Sequence, residues 1–209
     1  MQQKQTAIIG FGGMARELTE TLRLIKTNVS SINYFVEDEF YNEKSGSRLL
    51  SELLEKQDNF DTYMGIGDGQ TRMRLSRLFS TKAEFPSVIH PTAVLGANVK
   101  SGKGLIAQQF VTITTNVNIG EFCQLNLYTG ISHDCTIGDF FTASPKVSVA
   151  GNVHIGNLVT IGTNAAVLPG INICDNVIIG AGAVVTRNIT KPGTYAGIPA
   201  QRLIKSFSK

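Results

Sequence analysis

From Leu95 to Thr190 the chain divides into sixteen consecutive blocks of six residues, and the frame never slips. The blocks read LGANVK, SGKGLI, AQQFVT, ITTNVN, IGEFCQ, LNLYTG, ISHDCT, IGDFFT, ASPKVS, VAGNVH, IGNLVT, IGTNAA, VLPGIN, ICDNVI, IGAGAV and VTRNIT. The first position is Ile, Val, Leu, Ala or Ser in every block, and the fifth is small or apolar. Glycine follows the first position in seven blocks, at Gly96, Gly102, Gly120, Gly138, Gly156, Gly162 and Gly180. Each block reads as a short strand plus a tight corner, where glycine and asparagine supply positive φ without a Cβ penalty. Three blocks make one triangular coil, and the sixteen blocks make about five coils. No single coil can bury its own core, so stacking must supply it. An ordinary sandwich of alternating strands would not hold a six-residue frame over sixteen blocks.

The first half follows another rule. Residues 6–26 read as a short buried strand, a glycine-rich turn and an amphipathic helix. Residues 31–36 are a second strand ending in the acidic pair Glu37 and Asp38, residues 47–57 are helical, residues 60–67 are a third strand, and a further helix opens in DGQTRMRLSRLF. The alternation predicts a small Rossmann-like parallel sheet with helices on its faces. The expected division is therefore an α/β domain over 1–88, a β-helix of hexads over 89–193, and a C-terminal tail over 194–209 with a loop and a short terminal helix. Gly10, Phe11, Gly12, Gly13, Met14 and Ala15 nearly spell a dinucleotide fingerprint. Such glycines let backbone approach a phosphate at a helix N-terminus, although a simple tight turn has the same signature. A full NAD site is not expected, because only about three strands precede the prism.

Composition narrows the partners. A net charge of +3 and no Lys/Arg run longer than two give no nucleic-acid footprint, while leaving room for an anionic ligand such as a nucleotide or coenzyme A. The N-terminal apolar run is too short for a signal peptide and no stretch is long enough to span a bilayer, so no membrane partner is expected. The three cysteines, Cys123, Cys135 and Cys174, lack metal-ligand spacing; the first two fall on inward hexad positions. Reduced thiols and a cytoplasmic location are the expectation, and no metal is expected.

Of three histidines, His90 precedes Pro91 at the prism entrance and His154 sits at a corner; capping-loop and surface roles suit them. His133 stands at the third position of ISHDCT, outside the hydrophobic seam, and Asp134 follows it. Acyl transfer from a thioester needs a base to take a proton from the incoming amine or hydroxyl, and imidazole with a neighbouring carboxylate suits that task. Gly151 lies one full coil later in the frame, and a position without a side chain above the histidine would leave room for a reacting thioester. A solvated polar corner is the competing reading.

The glycine-rich turn, the acidic pair, GIGDGQTRMRL, SVIHPTA, the hexads, NLYTGISHDC, VSVAGNVHIG and YAGIPAQRL together resemble the bacterial sugar O- and N-acetyltransferases grouped with sialic acid O-acetyltransferase. That group includes the bacillosamine and perosamine type, which acetylates nucleotide-linked 4-amino-4,6-dideoxy sugars. The hexads are specific only for the superfamily; NLYTGISHDC with this N-terminal domain is more specific. The resemblance implies left-handed coiling and a homotrimer with the active site between prisms. It implies that His133 is the general base, Asp134 its acidic partner (often Glu in the family), and Asn126 a polar residue beside the base. It implies that Gly12, Gly13 and Met14 hold the sugar nucleotide, with Met14 where the family commonly has His, and that Glu37 and Asp38 lie near its base and ribose. Acetyl-CoA as co-substrate would run along the prism past Thr142, Gly151, Thr163 and Ala181, Thr142 standing where the bacillosamine enzyme has a histidine.

Three functions follow in order of fit. The first is an acetyl-CoA-dependent N-acetyltransferase for a nucleotide-linked amino sugar. The second is a sugar O-acetyltransferase, which would use the same base. The third is a non-catalytic β-helix for assembly or binding. A zinc site of the γ-class carbonic anhydrase kind needs histidines in register, and the spacing of His133 and His154 is not a coil multiple.

Overall fold

The computed structural model describes residues 4–25 and 32–203. Its N-terminal part contains β1 (Gln5–Ile9), α1 (Gly13–Ile25), β2 (Ile32–Val36), β3 (Arg48–Leu49), α2 (Leu50–Glu55), β4 (Phe60–Met64) and α3 (Gly69–Ser76). The four strands form one parallel sheet in the order β3-β2-β1-β4. The sequence pattern misses β3, a two-residue strand inside the expected helix 47–57. The helix starts only at Leu50, where the Glu52 carboxylate accepts from the Leu49 N–H at 3.3 Å. The third expected strand stops at Met64. At Gly65 the chain passes so close to α1 that a Cβ would come within 2.9 Å of Ala15 Cα. Asp68 then caps α3, its carboxylate accepting from Thr71 N–H at 2.7 Å.

The second part is a left-handed parallel β-helix with three faces. One face has eight strands, from Val88–Ile89 to Gln201–Arg202; a second has six, from Val94–Leu95 to Val184–Val185; the third has five, from Lys100–Ser101 to Asn172–Ile173. Register follows the hexad frame: Asn118 pairs with Thr136, Thr136 with His154, and His154 with Asn172, each a step of one full coil. From Ala107 onward the first-position residues are buried, as are the fifth-position residues from Leu105. The prism is longer than the five coils expected, at about six turns. Val88–Ile89 adds a rung before the frame, and Gly193–Ala196 adds one after it by pairing with Val177–Ile179 across a step shorter than a full coil. The expected loop after the hexads is thus partly strand, and Gln201–Arg202 turns back antiparallel. The expected terminal helix does not form among the described residues of this stretch, where Gln201–Arg202 is a strand; residues 204–209 lie outside them.

The corners separate two demands on the hexad. Its fourth position is left-handed from Asn98 to Gly182: Asn98, Asn116, Asp134 and Asn152 take φ of 56–59°, and so do bulkier residues such as Phe122, Tyr128 and Phe140, at 53–59°. That conformation costs an L-residue roughly 1–2 kcal/mol. Part of the cost is offset where rings stack between coils, as Phe122 does on Phe140 at 5.5 Å and Phe110 on Tyr128 at 4.8 Å. The second-position glycines answer another need. A Cβ on Gly138 or Gly162 would lie 2.7 Å from Asn157 N or 2.6 Å from Ala181 N in the next coil.

The α/β part sits on the eight-stranded face. The apolar stripe of α1, including Ala15, Leu18 and Leu22, packs with Ile8, Tyr63 and the prism residues Val88 and Ile106. Arg72, fully buried, fastens the junction. Its guanidinium donates to the carbonyls of Ile66, Gly67, Phe122, Phe140 and Phe141, to Gln124 Oε1 and to Thr142 Oγ. Burial lowers its pKa from 12.5 to about 10, so the side chain stays charged at neutral pH.

Candidate active site

His133 and Asp134 occupy the corner between the six-stranded face, at Gly130–Ile131, and the five-stranded face, at Thr136–Ile137. The imidazole Nδ1 is 2.7 Å from Asp134 Oδ2, and both side chains are about half exposed. A carboxylate only accepts, so Nδ1 carries the proton and Nε2 keeps its lone pair free for an incoming proton. Asp134 is held below its ordinary 3.8, first by the hydrogen bond from His133 and then by one from Asn116. Gly151 lies one coil on; a Cβ there would fall 2.5 Å from His133 Cε1 and 2.6 Å from Nε2. Missing side-chain volume at Gly151 thus makes room for the ring itself, rather than for a substrate above the ring.

The other expected residues divide. Asn126 belongs to the preceding corner, between the eight- and six-stranded faces, where its amide donates to Ala143 O at 2.7 Å. Thr163 and Ala181 lie one above the other at that same corner. Within one chain, therefore, Asn126, Thr163 and Ala181 stand at a different vertex from His133 and Gly151. Thr142 lies beneath the α/β part, 6% exposed, its hydroxyl accepting from Arg72 and donating to Gly67 O at 3.2 Å. Its hydrogen-bonding capacity is spent on the junction between the two parts of the chain.

A cavity of about 420 Å³ opens at the C-terminal edge of the parallel sheet. Ile9, Val36, Ile66 and Leu75 give it an apolar floor, and Phe11, Phe40, Gly10, Gly12, Glu37 and Thr71 line the rest. The glycines here have separate reasons. Gly10 needs its φ of +108°, and a Cβ there would fall 2.8 Å from Gly65 O, so the fold requires it. At Gly12 a Cβ would meet nothing within 4 Å, and at Gly13 only Arg16 Nη2 at 4.0 Å, so packing requires neither. Gly13 opens α1, whose first turn carries no acidic side chain to offset its positive end. Glu37 is gripped by Arg74 through two hydrogen bonds of 2.7 Å, which hold its carboxyl below the usual range. Asp38 is exposed at the start of a short 3₁₀ turn. Met14 turns toward the prism, its Sδ 3.6 Å from the Gln108 amide, and does not line the cavity.

His90 is buried, its Nδ1 accepting from Thr92 N–H at 3.1 Å, and His154 points outward from the five-stranded face. Cys123 and Cys135 are buried in the prism core; burial pushes the Cys123 thiol up to about 12 and raises Cys135 as well. Among the described residues no cluster of three or more His, Cys, Asp or Glu is placed to hold a metal ion, and no helix is long and apolar enough to cross a membrane.

Residues 152–187 match the family described as bacterial transferase hexapeptide (six repeats). The hexad repeat and the whole-chain likeness are those of an acyltransferase whose β-helix follows an N-terminal α/β domain. The chain is similar over nearly its whole length to several solved structures. One is PerB of Caulobacter crescentus, solved with CoA and GDP-perosamine, with 27% identity, TM-score 0.84, and 95% of this chain and 97% of that one covered. Another is the acetyltransferase domain of PglB from Neisseria gonorrhoeae, with 26% identity, TM-score 0.85, and 96% and 100% covered. WeeI from Acinetobacter baumannii has 27% identity, TM-score 0.87, and 96% and 100% covered. Among curated proteins no significant match exists.

Proposed function

We propose that the protein transfers an acetyl group from acetyl-CoA to the 4-amino group of a nucleotide-linked 4-amino-4,6-dideoxy sugar. The observation that carries this reading is the His133–Asp134 pair at 2.7 Å with Nε2 left free. The neutral amine attacks the thioester carbonyl, and Nε2 of His133 takes its proton in the attack or from the tetrahedral intermediate. Collapse of the intermediate breaks the C–S bond, and the imidazolium returns the proton to the departing thiolate. The backbone N–H of Gly151, beside the ring, is suited to the oxyanion. Direct attack fits the buried Cys123, whose thiol, pushed up to about 12, supplies no nucleophile at neutral pH.

The acceptor's nucleotide is assigned to the cavity at the sheet edge, with phosphate over Gly12 and Gly13 at the start of α1, and with Glu37 and Asp38 toward base and ribose. The relative solved with CoA and GDP-perosamine supports both substrate classes. The α/β part lies on the eight-stranded face, while His133 stands at the opposite vertex. A homotrimer resolves this separation. Side-by-side prisms would set the Asn126, Thr163 and Ala181 vertex of one copy against the His133 and Gly151 vertex of the next, and coenzyme A would lie in the cleft between them. The buried thiols and the two substrates suit a cytoplasmic enzyme.

The test is thiol release from acetyl-CoA with GDP-, UDP- and dTDP-linked 4-amino-4,6-dideoxy sugars, and with free sialic acid, with products weighed by mass spectrometry. An amide product on a sugar nucleotide is expected. Ester formation on a free sugar would replace this reading by O-acetylation, and a monomer with full activity would remove the trimer.

A further inference from the structure

The base is held by a ladder that starts two coils away. Asn98, Asn116 and Asp134 occupy the same hexad position in successive coils, each in the left-handed conformation. The Asn98 amide donates to Asn116 Oδ1 at 3.0 Å, and the Asn116 amide donates to Asp134 Oδ1 at 3.1 Å. Asp134 uses its other oxygen, Oδ2, for His133 Nδ1. The direction of this ladder is fixed by its end. An ionised carboxylate can only accept, so Asn116 must turn its NH₂ toward Asp134 and its carbonyl toward Asn98. Asn98 then satisfies that carbonyl and keeps the amide from flipping.

We infer that Asn116, supported by Asn98, is a positioning residue for the base: it fixes the rotamer and charge distribution of Asp134, and through it the orientation and basicity of His133. The inference rests on the reading of His133 as general base. The Asn116 amide spans the gap between Asp134 Oδ1 and the coil beneath. Beyond the dyad, the titratable group packed against this corner is Cys135, behind it, whose Sγ donates to the carbonyls of His133 and Ala150. Outer partners of this kind matter because a histidine base works only when its proton sits on the correct nitrogen and its lone pair faces the substrate.

The test uses glycine, because position 116 has a φ of 56° and glycine already fills the same hexad position at Gly104, Gly170 and Gly182. Asn116→Gly therefore removes the amide without adding backbone strain. We expect kcat to fall about 3–10-fold, the worth of one hydrogen bond, with KM for acetyl-CoA and the melting temperature nearly unchanged. Asn98→Gly should give a smaller loss of the same kind. Asn116→Asp places a second carboxylate beside Asp134; the added negative charge favours the imidazolium, so the acid limb of kcat/KM should move to higher pH. Wild-type kcat in Asn116→Gly together with an unmoved pH profile in Asn116→Asp overturns the inference. His133→Ala assayed in parallel separates the two readings: full activity there sinks the base assignment itself, whereas a dead His133→Ala beside wild-type Asn116 variants sinks only the ladder.

Discussion

The imidazole of His133 rests against the backbone of Gly151, so closely that a single added carbon would overlap it at Cε1 and Nε2. Gly151→Ala is therefore expected to push the ring off Asp134 and lower kcat by about 10-fold or more, while the prism, whose core the change does not enter, keeps its melting temperature. Steady-state kinetics with a thermal melt checks both halves.

His133→Ala should lower kcat by about 10²–10⁴-fold, the usual contribution of general acid–base catalysis. Affinity for acetyl-CoA, measured by calorimetry, should change little. Retained turnover would take His133 out of the chemistry.

The pH dependence follows from Asp134. Its folded pKa is depressed below 3.8, so the stabilising pairing is present above that value and is lost as pH falls through the lower, folded one. Between about pH 5 and 8 the carboxylate stays charged, so Asp134 contributes no ionisation there. The acid limb of kcat/KM should show a single ionisation; two ionisations would mean that Asp134 also changes state there.

Gly13→Val should raise KM for the sugar nucleotide and leave that for acetyl-CoA nearly unchanged. A Cβ there would meet nothing in its own chain closer than Arg16 Nη2 at 4.0 Å, so the fold should tolerate the branch and the loss should fall on the ligand. Equal KM values for both substrates, before and after, would leave the α/β part without a role in acceptor binding.

Arg72→Met keeps bulk but removes the guanidinium donors from the junction, leaving the buried Phe122 carbonyl without its partner. The expected loss is about 1–3 kcal/mol, read as an earlier unfolding transition in denaturant. A change below about 1 kcal/mol would show the junction to be held by apolar packing alone.

The hexad frame by itself determined the prism, its inward positions and the pairing of each strand with the one a full coil later, because a six-residue period over sixteen blocks has few ways to bury its apolar positions. The same frame placed Gly151 one coil from His133, and the glycine-rich turn announced the strand–helix junction that lines the cavity. Three features were out of its reach, each for a physical reason. Arg72 reads as one more surface cation in an exposed-looking helix; only docking of α3 onto the eight-stranded face desolvates it and surrounds it with carbonyls. The same docking spends the Thr142 hydroxyl on Arg72 and Gly67. The Asn98–Asn116–Asp134 ladder is present in the sequence as polar residues one coil apart, yet asparagine at that corner is already explained by its φ. Whether its side chain also bonds along the stack depends on rotamers, and those are decided only when the coils are packed at strand spacing.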